Sequence, residues 1–412
     1  MTITAFLTAL NLVSELPCPP NIYAMVSACG SDEDPTNYDF LFLFYGVEVT
    51  SQDIDTLSTM QPDAETNIIE STPAIFRKRE KIKQVAAQAL SLTALTSMDI
   101  NDTSFCDSPE CSDLCGTESQ GCQEGFAVTK GTGGTAVVLH TADGGGTWEA
   151  IATPFTTATD DIQAVDCDGE VVVVTNGTNT AYAYSHDGGD TWTEVLTPTK
   201  VMNDVFVLGA TRVWFVGHDG YIWFSDDRGA SIEVQDAGVA TAQTLNSVSF
   251  ADAKRGYAVG NSNAFVYTTD GGDSWVAGTG PSAGNDLKEV AAVPGTKTLF
   301  VGDEIGNVYR SKDGGTTWET VFAATAATAG GISGLVAWDC NVIAFTANDL
   351  DPYWYADDSD GVMFRSIDGG ASWLQIDVSA NDGLNTLAQC EINKYWTFGD
   401  GAFGAKVAGI GI

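Results

Sequence analysis

From about Leu92 onward, apolar and polar positions alternate in short runs of four to six residues, separated by turns rich in Gly, Asp and Asn. Alternation of period two is the mark of a strand with unlike faces. The clearest unit is Thr244–Gly278, where Leu245–Phe250, Gly256–Gly260 (GYAVG), Ala264–Thr268 (AFVYT) and Ser274–Ala277 predict four short strands joined by tight turns. The same order is read in Asp161–Leu196, Met202–Gln235, Asp286–Phe322 and Ile332–Val378. Three further strands, Asn385–Ile392, Tyr395–Gly399 and Phe403–Gly409, follow without a fourth. At the other end, Leu92–Ile100 (LTALTSMDI) and Gly125–Thr129 (GFAVT) open a first unit. Seven units result, and a segment near Ile82–Ala89 is expected to supply the strand missing from the last, because joining the two ends of the repeat removes exposed sheet edges.

One sentence of sequence recurs at the third turn of the first six units. It reads Thr141–Trp148 (TADGGGTW), Ser185–Trp192 (SHDGGDTW), Thr268–Trp275 (TTDGGDSW), Ser311–Trp318 (SKDGGTTW) and Ser366–Trp373 (SIDGGASW), with a degenerate copy at Ser225–Ile232 (SDDRGASI). The frame is Ser/Thr-x-Asp-x-Gly-x-Ser/Thr-Trp. Its aspartates, Asp143, Asp187, Asp227, Asp270, Asp313 and Asp368, stand 44, 40, 43, 43 and 55 residues apart. The frame suits a hairpin between third and fourth strands: the Asp accepts from turn amides, the Gly tolerates positive φ, and the hydroxyl residue adds a local bond. Trp148, Trp192, Trp275, Trp318 and Trp373 are expected to anchor each unit against its neighbour. Ile232 fills part of that volume in the degenerate unit.

A four-stranded unit repeating every 40–55 residues predicts a β-propeller. The fold class expected is therefore mainly β. It comprises a seven-bladed propeller over residues 92–412, with six boxes of which one is degenerate, and a small N-terminal docking region over 1–91, β or α+β. The longest repeat step holds an insertion, Asn348–Gly361.

The repeated frame resembles the Asp-box, or BNR, repeat, and the blades resemble the propellers that carry it, among them sialidases, other glycoside hydrolases, sortilin-type receptors and photosystem II assembly factors of the Ycf48 type. The resemblance covers about Leu92–Ile412 and implies fold rather than function. It implies that the six aspartates are structural and sit on the outer rim. It also implies a basic patch for the partner of a Ycf48-type propeller, an expectation that carries over poorly to so acidic a propeller. Sialidase chemistry would need converging arginines. This propeller holds only Arg212, Arg228, Arg255, Arg310 and Arg365, and AIFRKRE (Ala74–Glu80) is a poor match for the motif that precedes the first box in that family.

Composition narrows the partners. The formal charge is −37, from 55 Asp+Glu against 18 Lys+Arg, which disfavours nucleic acid and anionic membrane. No run of eighteen apolar residues spans a membrane, and the N-terminus lacks the basic region and cleavage site of a secretory signal. Five basic residues, Arg77, Lys78, Arg79, Lys81 and Lys83, cluster within seven positions and form either a solvated segment or a docking patch for an acidic surface. Tyr353, Trp354 and Tyr355 in the acidic insertion read either as a contact surface for protein or glycan or as a buried cluster.

Candidate chemistry is sparse. Cys106, Cys111, Cys115 and Cys122 lack paired CxxC spacing, so two disulfides pinning a loop are preferred over free thiols or zinc. Cys167, Cys340 and Cys390 read as small core residues. A glycosidase needs two carboxylates across a cleft, and Asp303, Glu304 and Asp339 fall near strand ends without standing out among 55 acids. His140, His186 and His218 form no motif, and no phosphate-binding loop or nucleophile signature occurs. No catalytic, cofactor or metal site is expected. The reading preferred is a non-enzymatic structural or interaction protein. Specifically it is a virion subunit (phage tail or capsid decoration) located on the extracellular particle, with protein partners through self-assembly or other virion subunits. The alternatives are a carbohydrate-active enzyme or lectin using the axial pocket, with a surface glycan as ligand, and a Ycf48-like assembly factor.

Overall fold

The computed structural model describes residues 98–106 and 123–408 apart from short loops, the longest at 349–360. It also describes the backbone of strands at 22–26, 40–45, 78–81 and 86–89. Two compact units divide the chain near Ala86 and Ala87. In the first, Ile22–Val26, Phe40–Tyr45 and Lys78–Lys81 form a three-stranded antiparallel sheet in that order. The basic stretch is thus partly a strand: Lys78 pairs with Tyr45 and Arg79 with Phe44. Arg77 lies outside the described residues.

The second unit is a ring of seven four-stranded sheets. Blade 1 is Asp99–Phe105, Gly125–Lys130, Val138–Thr141 and Glu149–Ile151. Blade 2 begins at Ile162–Asp168, blade 3 at Met202–Leu208, blade 4 at Leu245–Phe250, blade 5 at Leu287–Ala292, blade 6 at Ile332–Ala337 and blade 7 at Leu384–Glu391. Each of these first strands packs against the first strands of the two flanking blades, and Leu384–Glu391 closes the circle against Asp99–Phe105. They therefore surround the axis. Blade 7 takes its fourth strand from Ala86–Ala89, hydrogen-bonded beside Gly404–Ala408.

The second strand of a blade is apolar on both faces, as in Val171–Asn176 and Gly256–Gly260, every residue of which is buried. A sheet of this kind has no wet face, so it must be covered on both sides by other sheets. The core is accordingly a series of layers between blades. Trp214, Val216 and Ile222 of blade 3 pack with Leu245, Phe250 and Val266 of blade 4. Phe398 and Trp396 of blade 7 pack with Phe105 and Leu139 of blade 1.

Two expectations change. The first strand of blade 1 is Asp99–Phe105 rather than Leu92–Ile100, in register with Gly125–Lys130 from Asp99↔Lys130 to Phe105↔Gly125. Its polar DIND start resembles a loop, yet those side chains have partners in the next blade, as shown below. Cys106 is not bridged within the loop that follows it. It bonds to Cys167, 61 residues away, with Cα atoms 4.9 Å apart, because the ends of the first strands of blades 1 and 2 lie side by side. Cys167 and Cys340, both disulfide-bonded, are therefore not free core thiols. Cys111, Cys115, Tyr353, Trp354 and Tyr355 lie outside the described residues, as does Cys122.

Candidate functional site

The six boxes are built alike. In Thr268–Trp275, Asp270 Oδ1 accepts from Thr268 Oγ1 at 2.7 Å and from the Ser274 amide at 3.0 Å, while Oδ2 accepts from Ser274 Oγ at 2.6 Å. Thr268 Oγ1 in turn accepts from the Gly272 amide at 2.8 Å. Gly271 and Gly272 have φ of +79° and +94°, the left-handed region that a side chain resists. In the degenerate box Arg228 takes that conformation at φ +64°, and Asp227 keeps the same bonds to Ser225 and Ser231. Donors ringing the carboxylate hold it ionised. The Thr191 hydroxyl and amide bring Asp187 down to about 2, and the Ser274 hydroxyl and amide do the same for Asp270. Asp143, Asp227, Asp313 and Asp368 are lowered as well. An acid held this way has no proton to give at neutral pH.

Each box also fastens its blade to the one before. Trp275 Nε1 donates to Gln235 Oε1, Trp318 Nε1 to the Thr279 carbonyl and Trp373 Nε1 to the Val321 carbonyl, each on the preceding blade. Trp148 packs edge-on against Phe398 of blade 7, and Trp192 packs into the layer between blades 1 and 2. Ile232 packs on the layer between blades 2 and 3 in the same manner.

The axis carries a second set of acids. The first strand of each sheet has no strand on its axial edge, and backbone amides left there need acceptors. Side chains of the preceding blade provide them. Asp102 Oδ2 accepts from the Val165 amide at 2.9 Å, Asp166 Oδ2 from Val207 at 2.7 Å and Asp204 Oδ2 from Val248 at 2.8 Å. Ser247 and Ser249 accept in the same way from Val290 and Ala292. Asn residues beside them bond the neighbouring carbonyls: Asn101 to Ile162, Asn203 to Leu245 and Asn246 to Leu287. The adjacent pairs Asn101–Asp102 and Asn203–Asp204 thus bind one carbonyl and one amide of the next blade. Thr386 Oγ1 completes the contact from blade 7 to blade 1 by donating to Asp102 at 3.0 Å.

These carboxyls line an axial cavity of about 240 Å³ with Glu289 and Gln389. Burial is the largest influence on each. It outweighs the bonds from Val165 and Thr103 and raises Asp102 to about 6. Burial likewise raises Asp166 to about 7 against bonds from Val207 and Ser104. Asp204 rises to about 8 through burial and the negative charge of Asp102, and Glu289 goes well above the ordinary range through burial beside Asp204 and Asp102. Carboxyls that keep protons near neutrality can act as general acids. Here Asp102, Asp166 and Asp204 are each committed to backbone amides, and the cavity is smaller than the usual ligand pocket of about 300–1,000 Å³. Among the described residues no group of three or more His, Cys, Asp or Glu side chains could hold a metal ion.

The acids considered from sequence sit elsewhere. Asp303 is fully buried and accepts from the Ile305 and Asn307 amides, Asn285, Asn307 and Tyr309. Asp339 accepts from the Asn341 and Val342 amides, and Glu304 from Asp286. All three shape turns. His140 contacts Glu124, and His186 bonds the Arg228 carbonyl. Sequence reasoning passed over the axial acids, although each interrupts a strand as an acid on one face among buried neighbours, as in Val165-Asp166-Cys167.

Comparison with known proteins agrees with this architecture. Residues 183–194 match the BNR/Asp-box repeat. The chain is an Asp-box β-propeller. Residues 196–337 of this propeller match the family described as photosynthesis system II assembly factor YCF48. YCF48 from Cyanidioschyzon merolae superposes with a TM-score of 0.58 at 19% identity, covering 78% of this chain and 98% of that one. A structure of YCF48 bound to D1 peptide gives 0.57 at 16% identity, covering 80% and 96%. The GH74 xyloglucanase from Xanthomonas campestris gives 0.57 at 15% identity, covering 78% of this chain but 53% of that one. In sequence, a xyloglucanase from Hypocrea jecorina (strain QM6a) is 28% identical over 201 residues, 45% of this chain and 23% of the relative. The chain therefore spans under a quarter of that curated relative. Among the described residues no helix is long and apolar enough to cross a membrane.

Proposed function

We propose that this propeller is a non-catalytic assembly factor of the Ycf48 kind, which holds a polypeptide client while a larger complex is built. The observation that carries the reading is extent: the propeller corresponds to nearly the whole of the YCF48 structures, 98% and 96%, but to about half of the xyloglucanase. The axial acids support it, since their oxygens are spent on joining blades. A net charge of −37 favours a client segment that is basic or neutral overall. The Cys106–Cys167 bond supports folding in an oxidising compartment. Nothing in the comparisons favours the virion subunit preferred from the arginine-poor propeller and its non-repeat N-terminal region, and the assembly-factor alternative takes its place.

The test is recovery of the tagged full chain from its own cells after mild cross-linking. Stoichiometric capture of incompletely assembled complexes, with the mature complex absent, is the expected result. A second reading, glycoside hydrolysis, draws on the xyloglucanase similarity and the proton-holding axial carboxyls. Turnover of xyloglucan by the purified chain, abolished in Asp166→Asn and Asp204→Asn, would establish that reading and overturn the first.

A further inference from the structure

In four of the six boxes the backbone carbonyl that follows the aspartate accepts a hydrogen bond from the preceding blade. Trp396 Nε1 and Lys406 Nζ reach the Gly144 carbonyl, and His186 Nε2 reaches that of Arg228. Gln235 Nε2 reaches Gly271, and Arg310 Nη1 reaches Gly369. The carbonyls of Gly188 and Gly314 have no such donor among the described residues. Gly314 borders a cleft of about 320 Å³ between blades 4 and 5, which Arg255, Tyr257, Tyr267 and Lys297 also line.

The cleft is built rather than incidental. Tyr257 is only 3% exposed, and its hydroxyl makes no hydrogen bond to any described residue, although it lies 3.5 Å from where a side chain on Gly314 would begin. Burial of the ring raises its pKa, so the hydroxyl remains a donor. Arg255 is fixed by Asp252, which takes its Nε at 2.6 Å and also its Nη2, leaving Nη1 free of any described partner. Asp252 is itself tied to the Lys254 and Arg255 amides. Lys297 has no ion-pair partner among the described residues. Three donors, two of them cationic, thus line one cleft with Gly314, whose carbonyl has no donor among the described residues. Asp313 also borders the cleft, but its oxygens are occupied by Ser311 and by the hydroxyl and amide of Thr317.

We propose that this cleft binds an acidic side chain of a partner polypeptide, its carboxylate taken by Tyr257, Arg255 and Lys297 and a neighbouring amide N–H donated to the Gly314 carbonyl. A carboxylate beside a hydrogen-bond donor matches both halves of the site, and charge-assisted bonds give it directional strength. The net charge of −37 decides between possible carriers. A polyuronate bears a charge on every residue and is repelled along its length, whereas one acid within a basic or neutral peptide is drawn in. The assignment rests on the client-holding reading above and specifies what part of a client is gripped.

The probe is acetyl-Lys-Gly-Asp-Gly-Lys-amide, titrated into the purified full chain carrying fluorinated tyrosine and followed by 19F NMR. Saturable shifts confined to the Tyr257 and Tyr267 signals are expected, assigned through Tyr257→Phe and Tyr267→Phe. Replacing Asp by Asn in the probe should weaken binding about tenfold, and Tyr257→Phe or Lys297→Gln about fivefold each. Thermal melts of both variants should match the parent, because the Phe ring keeps the Tyr packing and Lys297 is exposed. No saturable shift, equal affinity for the Asn probe, or tighter binding of trigalacturonate would overturn the proposal. The titration needs no client: a positive titration without recovery of assembly intermediates sinks the assembly-factor reading and leaves the cleft. Recovery of intermediates without a positive titration does the reverse.

Discussion

Substituting Asp166 by Asn should make the propeller more stable at alkaline pH and change little at acid pH. In the folded chain burial lifts Asp166 from 3.8 to about 7. A group raised in this way contributes stability that is complete below its unfolded value and is lost as pH rises through its folded value. Three units correspond to about 4 kcal/mol at about 1.36 kcal/mol each. Asp166 is half-buried on the axial cavity rather than fully enclosed, so solvent screening brings a working figure to about 2 kcal/mol. Asn suits this site because the carboxamide oxygen can keep the Val207 amide, at 2.7 Å from Oδ2, while on Oδ1 the Ser104 hydroxyl at 2.7 Å can turn to accept from the new NH2, at the loss of the weaker bond from the Cys167 amide. Asp204 is less suitable, since both its oxygens face amides, those of Val205 and Val248. Removing the charge of Asp166 also eases ionisation of Asp204. Urea denaturation of parent and variant at about pH 4 and about pH 8.5 should give similar midpoints at the lower value, and about 2 kcal/mol in favour of the variant at the higher one. A difference independent of pH, or a variant less stable at alkaline pH, would refute the assignment of a proton to the axial acids.

Further expectations follow from the joints of the ring. Trp275→Ala should lower stability by about 3–5 kcal/mol, because the indole is buried beside Phe250 and its N–H holds Gln235 of the preceding blade; a urea midpoint within error of the parent would contradict that role. Cys167→Ser, or reduction, removes a crosslink spanning 61 residues. The loop-entropy relation gives about 4 kcal/mol for such a closure, and an unchanged melt with thiols shown to be free would count against it. Deleting residues 1–91 removes Ala86–Ala89 and should depress the melting temperature sharply, whereas deleting 1–85 leaves that strand and should depress it less. Equal melts for the two truncations would mean the strand does not close the ring. On the acid side, the box aspartates act in the opposite sense to Asp166: their contribution is present above 3.8 and lost as pH falls toward 2, so circular dichroism between about pH 4 and about pH 2 should show cooperative loss of sheet.

The repeat pattern by itself determined the number of blades, the four strands in each and the hairpin in which every box sits. Those features follow from local rules: alternation gives strands, and the Asp-Gly frame gives a turn whose bonds close within eight residues. Charge alone turned attention away from nucleic acid. What the sequence could not reveal is which side chains meet across blades, since such contacts join residues about 40–60 positions apart, as in Asp166 with Val207 and Cys106 with Cys167. Asp166 is one acid among 55 on the page; only the ring gives it a neighbour's amide to hold and a low-dielectric axis that keeps its proton. Tyr257 is likewise an ordinary strand tyrosine until the next blade brings the Gly314 turn alongside its hydroxyl. The boxes were legible because their physics is local. The axial acids and the cleft between blades 4 and 5 depend on closure of the ring, which tertiary structure alone decides.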